Sequence, residues 1–510
     1  MNQQEKPNKN NSKLCDLFMP GRWPVSVVYG FIFFALLTSG CAVGPDFERP
    51  KPPAVKQYTH DQAPKETAAP GGQAQHFDLG AEIAEDWWRL FNSPELDAVV
   101  KKAIDENRSL QSAISHLRQS QDNLRAGYGV FFPQIDSSIN ATRQKFSPTK
   151  FGISQGTSTF NLYTFNNTVT YVLDVFGGQR RQVENLAAQV EYQKQTARGA
   201  YLTLIGNVVN ASIAAAAYRA EIEATQQIIW FQKEQLSITE KQEKAGTVPY
   251  SSVLAIRAQL TATEATLPPL QKNLSQAQHL LTALVGKIPE QWGPPPVNLA
   301  DFTLPVEIPV SVPSELARRR PDILAAEAQL HSASAVIGVT TAALFPSLTL
   351  SGNYGWNSTD IATLFGPGAN FWAMGVNAAA PIFHGGTLWF QRRAAIRACE
   401  ASLTDYQQTV VAGFQQVADS LRALESDANT LQAQTESLAA ATRTLELIET
   451  NYKAGLVNYL QVLSADTQYQ QARLGVIGAQ ALRLQDTSAL FVALGGGWWE
   501  PLGSTARNEW

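Results

Sequence analysis

Residues 386–455 read GTLWFQRRAAIRACEASLTDYQQTVVAGFQQVADSLRALESDANTLQAQTESLAAATRTLELIETNYKAG and contain no proline. Apolar side chains recur here every three or four residues, as the seam of a coiled coil requires. They are Ile396, Cys399, Leu403, Tyr406, Val410, Phe414, Val417, Leu421 and Leu424. At about 1.5 Å per residue, the stretch predicts a helix about 100 Å long. Residues 178–246 also lack proline and predict a second helix of this length, far beyond the helices of globular cores.

Three landmarks occur twice in the chain, in the same order. They are Phe-Pro at 132–133 and 345–346, a glycine pair at 177–178 and 385–386, and Lys-Ala-Gly at 244–246 and 453–455. The two members of each pair lie 208 to 213 residues apart. This nearly constant spacing predicts two copies of one unit of roughly 210 residues.

Each copy carries segments in which apolar and polar residues alternate. Tyr163 and Phe165, for example, alternate with Thr164 and Asn166, which is the period of a strand with one apolar and one polar face. The alternation predicts strands at about 131–145, 160–176, 346–358 and 371–383. Such strands are typical of transmembrane β-barrels, although ordinary soluble hairpins show the same alternation.

Shorter helical segments complete each copy. They are predicted at about 94–129, 250–285, 321–345 and 458–494. Two short helices placed end to end nearly match one long helix, which permits a repeating unit of antiparallel coiled coils. The predicted fold class is therefore mainly α-helical and internally duplicated, with a long coiled-coil α-barrel and a pair of membrane β-hairpins in each chain.

The chain divides into five segments. They are a signal peptide at 1–40, an extended N-terminal strap at 41–85, the first repeat at 86–300, the second repeat at 301–497 and a tail at 498–510. The strap is rich in proline and contains few apolar residues, a composition that is typical of an extended linker.

An apolar run near the start of the chain ends at Cys41. Basic residues precede the run and small residues follow it, which is typical of an export signal. Residues 37–41, Leu-Thr-Ser-Gly-Cys, resemble a bacterial lipobox, in which the cysteine is lipidated and becomes the first mature residue. A transmembrane anchor is the alternative interpretation. After residue 41 no run of about 18 apolar residues recurs, so the mature chain is predicted to have no membrane-spanning helix.

Composition excludes several classes of protein. The net charge of −4 provides no basic face for nucleic acid. The 3 cysteines do not form a disulfide framework, and the 6 histidines are scattered without metal-ligand spacing. The sequence contains no nucleophile or phosphate-binding motif. We therefore predict no enzyme activity, no metal and no cofactor other than a covalent lipid on Cys41.

Four strands per chain are too few to close a barrel. The smallest filled barrels need about eight strands, and an open edge in lipid leaves unpaired backbone groups that cost several kcal/mol each. Three copies would supply about twelve strands, an even number within the bacterial range. A homotrimeric duct from the outer membrane into the periplasm is therefore predicted. A periplasmic coiled-coil scaffold or adaptor without a channel is the alternative.

Four segments carry a family resemblance: CAVGPDFERP at 41–50, WWRLFNSPEL at 87–96, RRRPDILAAEAQL at 318–330 and FPSL at 345–348. In these segments the chain resembles the TolC/OprM-type outer-membrane efflux factors of the NodT-like lipoprotein branch. The resemblance implies a homotrimer docked on a periplasmic membrane-fusion adaptor and an inner-membrane pump, commonly of the RND type. It also implies multidrug resistance through export of drugs or other small toxic compounds. Metal-ion efflux and type I protein secretion are the alternative roles.

The resemblance also implies which residues form the periplasmic tip and its gate. They are Gly246, Ser251, Ser252, Gly455, Gln461, Ser464 and Asp466. Relatives often carry a carboxylate at the position of Ser464, and some at Gln461, where a threefold ring would hold cations. Asp466 is turned from Ser464 by about 200° on a helix, so it faces either the lumen or the coiled coil. Ser251 and Ser252 either hydrogen-bond across the closed tip or cap a helix.

Two groups of conspicuous side chains have structural interpretations. Arg318, Arg319 and Arg320 precede a helix that begins with proline, and they are predicted to be partners of the belt around the bundle. Trp87 and Trp88 are predicted to pack against the bundle rather than contact a ligand.

Overall fold

The computed structural model describes residues 42–51, 53–55, 57–59, 66–69, 74–81, 83–147 and 156–497. The predicted signal peptide 1–40, the lipidation candidate Cys41 and the tail 498–510 lie outside these residues. The chain forms two compact units. The β unit contains the chain up to Pro45, Tyr128–Val183 and Ala335–Ala395, and the helical unit contains Asp46–Gly127, Glu184–Ser334 and the chain from Ile396.

Strands and α-helices follow one another in an order that repeats. The strands are β1 (His76–Leu79), β2 (Gln134–Phe146), β3 (Ser158–Leu173), β4 (Glu307–Val310), β5 (Ser347–Ser358) and β6 (Asn370–Ala379). The helices are α1 (Pro94–Glu106), α2 (Arg108–Tyr128), α3 (Gly178–Lys244), α4 (Tyr250–Leu284), α5 (Pro313–Arg319), α6 (Pro321–Ala342), α7 (Thr387–Lys453) and α8 (Tyr459–Ala493).

The four predicted strands form one antiparallel sheet in the order β2-β3-β5-β6. Each lies where the alternation predicts it, with ends shifted by a few residues. The central pairing of β3 with β5, in which Val169 opposes Gly352, joins the hairpin of the first repeat to that of the second. Because of this pairing, the β unit takes residues from both sequence repeats.

The two long helices and their partners have matching lengths in the two repeats. The predicted long helices are α3 and α7, with 67 residues each. Their downstream neighbours α4 and α8 have 35 residues each. The duplication seen in the sequence is therefore also a duplication of helix length.

The sequence predicts one helix over 94–129, and this prediction is wrong because the structure has two, α1 and α2. The chain leaves helical geometry at Asn107, where φ is −63° and ψ is 124°. The Asn107 Oδ1 accepts a hydrogen bond from the Leu110 amide at 2.8 Å, and its Nδ2 donates to the Leu284 carbonyl oxygen at 2.7 Å. Asparagine at a helix start is stabilised by such bonds, so Asn107 caps α2 and links it to the end of α4.

Three short elements have no counterpart in the sequence prediction. Strands β1 and β4 have four residues each and pair in parallel, and α5 has seven residues. Runs this short do not reveal a period. Since β1 belongs to the predicted strap, this part of the strap pairs with β4 in the helical unit.

One helix contradicts the prediction that the mature chain has no segment able to span a membrane. Helix α3 contains an 18-residue stretch that is apolar enough to span a membrane, but 72% of that stretch is buried inside the protein. Ile205, Val208 and Ile213 of α3 are enclosed in the main apolar core, together with Trp87 and Phe491. Burial inside the helical unit therefore accounts for the hydropathy of α3.

Candidate channel and tip sites

The four-stranded sheet has one apolar face and one polar face. Directly paired residues point to the same side of an antiparallel sheet, so the strand register identifies the two faces. The apolar face carries Ile135, Ile139, Phe165, Val169, Leu350, Trp356, Met374 and Val376. The opposite face carries Asp136, Ser138, Asn166, Thr168, Ser351, Asn353, Ala373 and Asn377. Ile139 is 77% exposed and Met374 is 83% exposed, which marks a surface made for contact with lipid or another chain.

The lengths and edges of these strands fit a segment of a membrane barrel. Strands β2, β3, β5 and β6 have 13, 16, 12 and 10 residues, and a tilted transmembrane strand needs about 9–11. Within the described residues, β2 and β6 each pair on one side only. Backbone groups at such edges must find partners before the sheet can enter lipid.

Both long helices end in the same kind of turn. Gly246 follows α3 with a φ of +73°, and Gly455 follows α7 with a φ of +75°, a conformation that glycine adopts without strain. In the first turn the Thr247 amide donates to the Gln242 carbonyl oxygen at 2.9 Å, and the second turn has the equivalent bond at the same length. This is the Schellman arrangement of a helix end. We call these two reversals the tip turns.

The predicted gate residues lie on the helices that follow the tip turns. Ser251 and Ser252 are in the first turn of α4, the former exposed and the latter half-buried. On α8, Gln461 and Ser464 are both exposed. The Gln461 amide donates to the Asn458 side chain at 3.2 Å, so that Asn458 caps α8.

Asp466 has different surroundings from Gln461 and Ser464. Its carboxylate accepts hydrogen bonds from the Gln232 Nε2 at 3.3 Å and from the Gln470 Nε2. Burial raises the pKa of Asp466. Of the two orientations that the sequence allows, the structure selects the one in which Asp466 packs against α3. No periodicity within α8 reveals this contact, because Gln232 belongs to the other repeat.

Comparison with known families identifies the chain. Residues 99–287 and 312–496 match the family model described as "Outer membrane efflux protein". The chain belongs to this family. One match falls in each sequence repeat, so the duplicated unit is the unit of the family. The amphipathic sheet and the tip turns described above are thus features of an outer-membrane efflux protein.

Individual relatives support the same assignment. The toluene efflux pump outer membrane protein TtgC of Pseudomonas putida is 28% identical over 476 residues, which are 93% of this efflux protein and 96% of TtgC. The cation efflux system protein CusC of Escherichia coli is 27% identical over 467 residues, 91% of this chain and 97% of CusC. The solved outer-membrane channel OprN has a TM-score of 0.80 at 26% identity and covers 90% of this chain and 100% of its own. The predicted fold class is confirmed, and the protein is an outer-membrane efflux channel component.

The strap of this efflux protein is held by specific contacts in the helical unit. The Phe47 ring stacks on the His331 ring at 4.3 Å between centroids. The His331 Nε2 lies 2.9 Å from the Glu184 Oε1, and the Arg49 Nε donates to the Glu327 Oε1 at 2.5 Å. The start of the strap is therefore a packed segment, although its composition resembles that of a linker.

Of the arginine triplet predicted to be structural, Arg318 is exposed, whereas Arg320 is a buried hub. Its side chain is 7% exposed and forms a two-pronged pair with Asp322, with the Nε 2.9 Å from the Oδ1 and the Nη2 2.6 Å from the Oδ2. The Nη2 also donates to the Gln416 Oε1 at 2.7 Å. The Nη1 donates to the carbonyl oxygens of Ala493 at 2.7 Å and Gly413 at 3.4 Å. Arg320 thus connects the start of α6 to α7 and α8.

The other predicted structural side chains are also buried. Trp87 and Trp88 are 1% and 4% exposed, and the Trp87 ring lies 5.2 Å from that of Phe491.

Arg483, 2% exposed, donates from its Nε to the Gln75 Oε1 and from its Nη2 to the Thr67 Oγ1, both at 3.1 Å. These bonds attach the distal part of the strap to α8, an interaction that no sequence pattern indicated.

A buried carboxyl of α7, near Arg483, predicts a pH-dependent stability. Asp427 is 6% exposed, and burial together with the adjacent Asp486 raises its pKa to about 7 from an ordinary value of 3.8. Between these values the folded protein holds a proton that the unfolded chain has released, so stability should fall as the pH rises from about 4 to about 7. In Asp427→Asn, which carries no charge, we expect this slope to flatten and stability at pH 8 to rise by up to about 4 kcal/mol, because the variant avoids the cost of ionising a buried carboxyl and a tenfold change in proton affinity corresponds to about 1.4 kcal/mol.

Thermal unfolding midpoints of wild type and Asp427→Asn, recorded between pH 4 and pH 8, test this prediction. Asp405→Asn is the matched control, because Asp405 is exposed on the same helix α7 and its loss should leave the curve unchanged. An undiminished slope in Asp427→Asn would show that another group is responsible.

Proposed function

We propose that three copies of this efflux protein form a homotrimer whose sheets close one barrel of about twelve strands in the outer membrane. The amphipathic four-stranded sheet, whose two edges are unpaired within the described residues, carries this proposal. Because neighbouring strands alternate in direction, β6 of one copy runs antiparallel to β2 of the next, and the two edges satisfy each other. The apolar face then meets lipid and the polar face lines a water-filled lumen.

The proposed duct receives its cargo from a periplasmic membrane-fusion adaptor and an inner-membrane pump of the RND type. It carries drugs or other small toxic compounds to the exterior and performs no catalytic step. TtgC and CusC, which are named for toluene and cation efflux, have similar identity to this chain. Metal-ion efflux is therefore the second candidate, and the choice of cargo belongs to the pump.

Single-channel conductance of the detergent-purified full-length protein in planar bilayers tests this function, with the mass in detergent measured in parallel. We expect a trimer that gives small, rarely open currents, since the tip turns are proposed to hold the duct closed. A protein that stays monomeric and does not insert into the bilayer would contradict the channel proposal and favour a coiled-coil scaffold.

The same recordings test the proposed gate, in which the exposed Gln461 and Ser464 face the duct. Ser464→Asp would place a carboxylate on each of the proposed three copies, and such a ring holds cations. We expect stronger block of the current by divalent cations. Unchanged block would exclude Ser464 from the constriction.

We further propose that Cys41 carries a covalent lipid that anchors the chain to the outer membrane. A cluster of acyl chains holds a protein stably at a bilayer, whereas one chain binds only marginally. Cys41→Ser should abolish metabolic labelling with palmitate and leave the unprocessed precursor. Cys399→Ser is the control, because Cys399 lies on α7 far along the chain, and it should label like wild type. Labelling of Cys41→Ser would place the lipid elsewhere.

A further inference from the structure

A cavity of about 330 Å³ lies between α3, α4, α7 and α8, close in sequence to both tip turns. Its walls combine carboxylates, amides and aromatic rings. The principal lining residues are Phe231, Gln232, Glu446, Glu449, Tyr459 and Asp466. Small-molecule sites in proteins have volumes of about 300–1,000 Å³ and show this mixture of apolar walls and a few polar groups.

The charge on the cavity wall is predominantly negative. Glu446, Glu449 and Asp466 contribute three carboxylates, and Arg473 contributes one guanidinium. The Arg473 Nη2 donates to the Gln227 Oε1 at 2.7 Å. Both hydrogen-bond donors that reach the Asp466 carboxylate are uncharged amides. Burial and the nearby Glu449 raise the pKa of Asp466, so a cation at this wall would stabilise the ionised carboxylate.

Gln232 provides a second, independent indication of a ligand. Its side chain is 5% exposed and its Nε2 donates to Asp466. Within the described residues, the buried Gln232 Oε1 accepts no hydrogen bond. An unpaired buried acceptor costs about 1–3 kcal/mol. The Oε1 has less than 1 Å² of accessible surface, so a ligand N–H group would remove this cost once a rotation of the Gln232 side chain turns the Oε1 into the cavity.

The remaining wall favours an apolar body next to the positive charge. Phe231 is 63% exposed and Tyr469 is half-buried, and both present aromatic rings, whereas Ile256, Tyr459 and Val462 pack against one another behind them. Aromatic faces attract cations within about 6 Å. An inorganic cation would leave the Phe231 ring uncovered, whereas an aryl-substituted cation would cover it.

We propose that this cavity is a binding site for a small aryl-substituted primary ammonium compound. The ammonium group donates to the Asp466 carboxylate and to the Gln232 Oε1, and the aryl group packs against the aromatic wall. The site lies within the helices of one chain and contacts all four helices of the tip. Because it is formed by one chain, its ligand binding can be measured whether or not the channel conducts.

Isothermal titration of the full-length protein in detergent with phenethylammonium chloride tests the proposal, with a titration into protein-free micelles as reference. We expect saturable binding of one ligand per chain. The uncharged 2-phenylethanol, which has the same aryl group, should bind at least tenfold more weakly. Benzyltrimethylammonium, which has a charge but no N–H group, should also bind more weakly.

Substitutions test whether Asp466 and Gln232 bind the ligand. Asp466→Asn and Gln232→Leu should each weaken phenethylammonium binding at least tenfold. Asp405→Asn, the same change at an exposed position of α7, should bind like wild type. If Gln232→Leu does not fold, Gln232→Glu carries the test, because an added carboxylate should strengthen binding. The absence of saturable binding, equal binding of the alcohol, or equal losses in Asp405→Asn and Asp466→Asn would overturn the proposal.

Discussion

Met374→Arg should nearly abolish the outer-membrane trimer. Met374 is at the centre of β6 on the apolar face and is 83% exposed in the single chain. An arginine on the lipid face of a barrel costs about 2–4 kcal/mol at the bilayer midplane, and the proposed trimer would bear this cost in every copy. The amount of folded trimer in outer-membrane fractions, measured on semi-native gels, reports the effect.

The neighbouring substitution Ala373→Arg is the matched control. Ala373 precedes Met374 in the same strand but lies on the polar face, where it opposes Asn353. The added side chain is identical and only its side of the sheet differs. We expect near-normal amounts of trimer and a shift of channel selectivity towards anions. Equal losses of trimer in both variants, or in neither, would contradict the assignment of the two faces.

Arg320→Met should destabilise the helical unit by about 1–3 kcal/mol, the usual cost of leaving buried acceptors without a donor, since the Asp322 side chain is 47% exposed and can be hydrated. Methionine fills much of the same volume but leaves Asp322, the Gln416 amide oxygen and the carbonyl oxygens of Gly413 and Ala493 without their shared donor. Arg320→Lys should recover only part of the lost stability, because an ammonium group cannot make the two parallel hydrogen bonds that the planar guanidinium donates to Asp322. Denaturant midpoints followed by the helical circular dichroism signal provide the measurement.

Arg318→Met is the control for this change. Arg318 belongs to the same triplet but is exposed, and surface substitutions usually alter stability by less than about 0.5 kcal/mol. If Arg318→Met and Arg320→Met shift the midpoint equally, charge in the triplet as a whole matters more than the buried hub.

The candidate sites were predictable from the sequence to different degrees. The tip turns at Gly246 and Gly455 follow from local chemistry, because glycine readily adopts the positive φ that closes a helix. The surroundings of Asp466 do not, since its partner Gln232 lies 234 residues earlier and no local pattern connects them. The same holds for Arg320, which appears in the sequence as one of three adjacent arginines and whose hydrogen bonds reach α7 and α8.

The repeating elements of this protein can be read from its amino-acid pattern: the duplication, the two 67-residue helices and the four alternating strands. Each of these follows from a period that is repeated many times along the chain, so that single exceptions do not hide it. The break at Asn107, the parallel pairing of β1 with β4, and the buried contacts of Arg483 and Asp466 became visible only in the folded chain. These features depend on small groups of hydrogen bonds, most of them between residues far apart in the chain, and those long-range bonds exist only after the helices have packed.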